Sequence, residues 1–163
     1  MNIEKQDLNI KDIFQNEITL SHRLLDILKR EYAALTSNNT DAIEQVIERK
    51  VETINQLEKL GTLRMGIINK AGFSPDKNGI VNFIKGRDPH IGKTLYQCWQ
   101  QLLDLGRKCK MQNEVNGTII QASYMFTQRA LGILHGQLPG DELRYGPDGK
   151  THNGNQSSAL AKA

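Results

Sequence analysis

Proline, cysteine and aromatic residues are scarce in this 163-residue chain, and each scarcity excludes something. The four prolines, Pro75, Pro89, Pro139 and Pro147, stand between periodic stretches and never inside one, so long helices are allowed. The two cysteines, Cys98 and Cys109, are eleven residues apart. On a helix that spacing is three turns, ~16 Å along one face, beyond the ~7 Å limit for a disulfide. Two reduced thiols are expected. His90 and His135 do not fall at ligand spacing from them, so no metal site is expected. Aromatic residues make up 6% and hydrophobic residues 38%, with 14 glycines, so part of the chain should not pack into a core.

Other absences narrow the function. No apolar run approaches the ~18 residues of a membrane span. The opening residues MNIEKQDLNIKDIF hold no apolar signal core. A cytoplasmic protein without membrane insertion is expected. Lys and Arg (21) are interspersed with Asp and Glu (18) for a net charge of +3, with no basic run, which argues against nucleic acid. No nucleophile elbow, P-loop, zinc spacing or dinucleotide fingerprint occurs. Neither an enzyme nor a cofactor is expected.

What the chain has is helical periodicity. Phe14, Ile18, Ser21, Leu25, Leu28, Tyr32 and Leu35 step by four and three within a helix expected from about Asp7 to Leu35. The polar run 36–40 is short, so the next helix should return antiparallel. That helix, about Asp41 to Lys70 with Asp41 as its cap, has the seam Ile43, Ile47, Lys50/Val51, Ile54, Leu57, Leu60/Gly61, Arg64 and Ile68. Gly61 and Gly66 mark either close packing against the first helix, the simpler reading, or a joint. A short helix over Asp76–Lys85 and a loop at 86–89 follow. The last helix should run from about Ile91 to His135, ~65 Å if straight, with Gly106 and Gly117 as the places where it could bend or break.

The seam of that last helix is unusual. It reads Leu95, Trp99, Leu102, Gly106, Cys109, Asn113, Asn116, Ile120, Ser123, Thr127, Ala130, Leu134: apolar ends with a polar centre. A helix that only filled a core would carry leucine there. Such a seam suits a specific or exchangeable partner. A buried Asn costs stability unless it specifies one, so Asn116→Leu should keep or raise thermal stability while weakening a complex. Residues 137–163 have only Leu138, Leu143, Tyr145 and Leu160 to bury and should be disordered alone. Within them, Tyr145-Gly146-Pro147-Asp148-Gly149 is a turn signal beside an aromatic residue. The expected fold is all-α: an antiparallel helical bundle or coiled-coil hairpin of three long helices with one short helix, as one domain over 1–136, and a disordered tail over 137–163.

One ordered set of residues is more specific. Tyr96-x-x-Trp99-x-x-Leu102-Leu103 precedes Cys109-x-x-x-Asn113-x-x-Asn116-Gly117-x-Ile119-Ile120. Then come Ala130-Leu131-x-Ile133-Leu134-x-Gly136 and the Tyr145–Gly149 turn. This set, over about Leu95 to Gly149, resembles the FlgN-type flagellar export chaperones. The resemblance implies a cytosolic chaperone that binds the C-terminal segments of hook-associated junction proteins, prevents premature assembly and delivers them to the flagellar export apparatus. It also implies roles for residues. Asn113, Ile120, Ser123, Thr127, Leu131 and Leu134 would line a client groove, while Asn116 and Gly117 would bring two backbones close and supply hydrogen bonds. Leu143 and Tyr145 would dock at the export gate. A helical adaptor that only oligomerises, as a homodimer for instance, and a secretion chaperone for a different client are the alternatives.

Overall fold

The computed structural model describes residues 2–135, 144–145 and 151–152, with side chains from residue 10 to 135. The chain divides into two compact units, residues 1–119 and 120–163. Among the described residues four helices follow in order: α1 (Asn2–Thr36), α2 (Thr40–Lys70), α3 (Lys77–Lys85) and α4 (Pro89–Leu134). The all-helical bundle of three long helices and one short one is as the periodicity requires.

The first unit is an antiparallel α1–α2 hairpin with α3 and the first part of α4 packed on it. The hairpin turns at Asn38, whose φ of 52° is left-handed, a conformation asparagine tolerates. Asn39, not Asp41, caps α2: its extended backbone lets Oδ1 accept from the Ala42 N–H at 3.1 Å. Asp76 caps α3 by accepting from the Gly79 N–H at 2.7 Å and from the Ser74 hydroxyl at 2.8 Å. These bonds hold its carboxyl below the usual carboxylate range. Glycine is required at 79, because a Cβ there would fall 1.8 Å from the Ser74 carbonyl oxygen. Pro89 opens α4 where its missing N–H costs nothing, two residues earlier than the periodicity suggests.

Neither long helix breaks at a glycine. α2 runs unbroken through Gly61 and Gly66, and α4 through Gly106 and Gly117. The close approach expected at Gly61 and Gly66 is absent. A Cβ on Gly61 would make ordinary contact with Glu17 at 3.9 Å, and one on Gly66 would meet nothing within 4 Å.

The apolar core sits at one end of this unit, where the start of α1, the end of α2, α3 and the start of α4 converge. Ile10, Phe14, Ile68, Phe83, Leu95 and Trp99 are its centre, with the Phe14 and Trp99 rings 6.0 Å apart. From there α4 runs alongside α1 in the same direction, since Trp99, Cys109 and Asn116 meet Phe14, Ser21 and Leu28 in ascending order.

The second unit comprises the end of α4, residues 120–134, and two short antiparallel strands, β1 (Arg144–Tyr145) and β2 (Thr151–His152). Arg144 is in register with His152 and Tyr145 with Thr151. The expected disorder over 137–163 otherwise falls on residues outside those described, as do Leu143 and the Gly146–Gly149 turn.

Candidate functional site

Two polar layers cross the first unit. Glu17 and Glu31 on α1 are 3% and 4% exposed, at positions where the stepping of the helix calls for hydrophobes. Each is met by a cation from α2. Arg64 donates to both oxygens of Glu17, and Lys50 to both oxygens of Glu31 at 3.0 Å. The acids are fourteen residues apart, and so are the cations, two heptads on each helix. Only one antiparallel register forms both pairs, so these charges act as register pins.

The layers differ in how completely they are satisfied. In the first, the Arg64 guanidinium lies 5.5 Å from the centre of the Trp99 ring. Arg64 Nε and Trp99 Nε1 are buried there with no hydrogen-bond partner among the described residues. Burial pushes the Glu17 carboxyl above its usual range, against the lowering pull of Arg64. The second layer is closed by α4. Asn116, 1% exposed, donates from Nδ2 to the Leu28 carbonyl at 2.8 Å and to Glu31 Oε2 at 2.7 Å. Its Oδ1 accepts from Gln112 Nε2 at 3.1 Å, and Lys50 Nζ donates to Asn113 Oδ1 at 2.9 Å. Asn113 and Asn116 therefore specify a partner, and that partner is the protein's own hairpin.

Gly117 is exposed, and a Cβ on it would meet nothing within 4 Å among the described residues, so it makes no close approach within the chain itself. Cys109 is buried, its thiol 3.6 Å from the Ser21 carbonyl, and desolvation raises its pKa; Cys98 is half-buried and both are free. Tyr32 and Ile47, placed on the seams by spacing, are 42% and 46% exposed. Glu31 and Lys50 take the interior positions instead, because each neutralises the other.

The second unit presents an apolar helix surface. Ile120, Ser123, Thr127, Leu131 and Leu134 are all exposed. The Thr127 hydroxyl is spent on the Ser123 carbonyl at 3.0 Å. Tyr124, which the seam reading passed over, belongs with them: Ile120, Tyr124, Thr127, Leu131 and Leu134 step by four and three along one face. Met125, Phe126 and Ile133 are exposed on other faces, Phe126 by 75%. Between Ile119 and Leu134 the only charged residue is Arg129. A helix apolar on several faces is normally covered. Among the described residues no cluster of His, Cys, Asp and Glu could hold a metal, and no helix is long and apolar enough to cross a membrane.

The sequence matches the family model described as FlgN protein over residues 1–153. A solved structure of a flagella synthesis protein FlgN from Pseudomonas aeruginosa is similar, with a TM-score of 0.62 and 30% identity over 69% of this chain and 88% of that one. Among curated proteins there is no match.

Proposed function

The chain belongs to the FlgN family of flagellar assembly proteins, and on that premise we propose that it is a cytoplasmic export chaperone for hook-associated junction proteins. In this reading the C-terminal segment of a client lies on the end of α4, which keeps it from assembling early, and the loaded chaperone is then recruited to the flagellar export apparatus. The observation that carries the proposal is the exposed apolar face of Ile120, Tyr124, Leu131 and Leu134, with Ser123 and Thr127 beside it. A segment that folds as an amphipathic helix on docking would cover that face. Asn113 and Asn116 act one step back, by fixing α4 to the hairpin. A non-enzymatic role fits a surface built from Ile, Leu, Tyr, Ser and Thr with no titrating pair to do chemistry.

Calorimetry of the full chain with a junction protein's C-terminal fragment tests this. Binding should be present, and Leu131→Asp should abolish it without unfolding the protein. No heat at ~100 μM, where a complex of about −5.5 kcal/mol would register, refutes client binding. A fixed dimer that ignores the fragment would point instead to an oligomerising adaptor. Leu143 and Tyr145 are proposed to serve the export gate. Deleting 137–163 should leave client binding intact, and Tyr145→Ala should reduce secretion of junction proteins. Normal secretion by that variant removes Tyr145 from the mechanism.

A further inference from the structure

The hairpin carries a recess, in the first unit and lined by no residue of α4. It lies between α1 and α2 near their connecting turn, with a volume of about 370 Å³. Small side chains create it: Ala34 on α1 and Ala42 on α2 leave a gap where larger residues would close the helices together. Ile27 and Val46 complete an apolar floor. Its walls are cationic on both sides, Arg30 from α1 and Arg49 from α2. The recess continues into a cleft that adds Arg23 and Asp26. Arg23 is engaged with Glu52 at 4.0 Å, but among the described residues neither Arg30 nor Arg49 has an ion-pair partner.

We infer that this recess is a docking site for an acidic amphipathic helix of a partner protein, seated by one large apolar side chain between Ala34 and Ala42 and clamped by its carboxylates on Arg30 and Arg49. The charge selects the partner's sign. Arginine on both rims favours carboxylates placed three or four residues apart on a helix, to either side of the inserted side chain. The concavity selects a protein over a membrane surface, because the apolar floor lies recessed between the rims, where a side chain reaches and a flat layer of headgroups does not. A second copy of the chain is a less suitable occupant, since the rim would bring cations against a chain of net positive charge. The site shares no residue with the α4 face assigned to the client, so either assignment can fail alone.

The probe is a helical peptide of about 15 residues with leucine at every third and fourth position and glutamate flanking it, labelled for fluorescence anisotropy against the full-length protein. The same peptide with lysine for glutamate is the control. Binding to the acidic peptide alone is expected, weakening as salt rises from about 50 to 300 mM. Arg30→Glu/Arg49→Glu should weaken it at least about tenfold, and Ala42→Leu, which fills the recess without touching charge, should do the same. The two arginines are exposed, so the double variant tests the site even if Ala42→Leu fails to fold. Four results would overturn the inference: no binding at millimolar peptide, equal binding of the lysine peptide, binding indifferent to a folded Ala42→Leu, or preference for phosphatidylglycerol vesicles over the peptide. Sedimentation showing a dimer that the double arginine variant dissolves would also overturn it, in favour of a second copy.

Discussion

Replacing Asn116 with leucine should destabilise the protein, contrary to the expectation drawn from the seam alone. Asn116 makes three hydrogen bonds, and they are unequal. Gln112 is half-buried and can turn to water, and the Leu28 carbonyl keeps its place in the α1 ladder. Glu31 is the decisive partner. Its carboxylate is 4% exposed, and the Asn116 amide at 2.7 Å is a donor that no solvent can replace. Losing a hydrogen bond to a buried charge costs about 1.5–3 kcal/mol, and the lost bond to the Leu28 carbonyl adds about 0.5–1.5 kcal/mol, while Lys50 still donates to both Glu31 oxygens. A buried leucine of similar shape returns about 1.5–3 kcal/mol. The net is a loss of about 1 kcal/mol, or about 3–4 °C in Tm for a chain of this size. Urea and thermal denaturation of Asn116→Leu would measure it. Glu31→Gln and the double variant would complete a cycle whose coupling term isolates the Asn116–Glu31 bond. A Tm equal to or above that of the unaltered protein would refute the reasoning. It would mean that the polar layer costs more than it contributes and that Asn116 is kept for something other than the hairpin.

Three further outcomes follow from the same geometry. Gly117→Ala should raise stability by about 1 kcal/mol, since glycine in a helix interior is costly and the added methyl meets nothing; a loss in denaturation midpoint would show a close approach at that position. Gly79→Ala should lower the Tm despite better helix propensity, because its Cβ would lie 1.8 Å from the Ser74 carbonyl oxygen and the loop must move; an unchanged Tm would show that the loop yields freely. For Glu17, burial raises the folded pKa above the unfolded one, so the folded state holds the proton more tightly. The stability that Glu17 confers is then full below its ordinary carboxylate pKa and is lost as pH rises through the folded value. The stability difference between the unaltered protein and Glu17→Gln should therefore shrink across that window. A difference that grows with pH would mean that attraction to Arg64 outweighs desolvation.

Much of the fold was legible in the sequence because helices announce themselves locally. The 3.6-residue period of α1, the five-residue polar run before α2, the proline punctuation around α3 and the length of α4 all depend on neighbours along the chain. The signal for the two polar layers was also present, but incomplete. Lys50 and Arg64 stood on the α2 seam, and cations there demand acids on the facing helix. Glu17 and Glu31 match their fourteen-residue spacing, yet a charged residue read alone looks like solvated surface. The family resemblance rested on residues from about Leu95 to Gly149, and the match over residues 1–153 extends it to the first two helices, where spacing alone was unspecific.

The tertiary structure decided what each polar residue is used for. A sequence shows that Asn113 and Asn116 lie on a seam, but not which element takes their hydrogen bonds. That depends on the offset between α1 and α4, helices separated by more than fifty residues of chain. With that offset fixed, Asn116 reaches the Leu28 carbonyl and Glu31, so the polar centre of the seam belongs to the bundle. The exposed face that remains begins at Ile120. Periodicity places a side chain on a face of its own helix; whether that face meets a partner, a neighbouring helix or water is set by packing between elements distant in sequence.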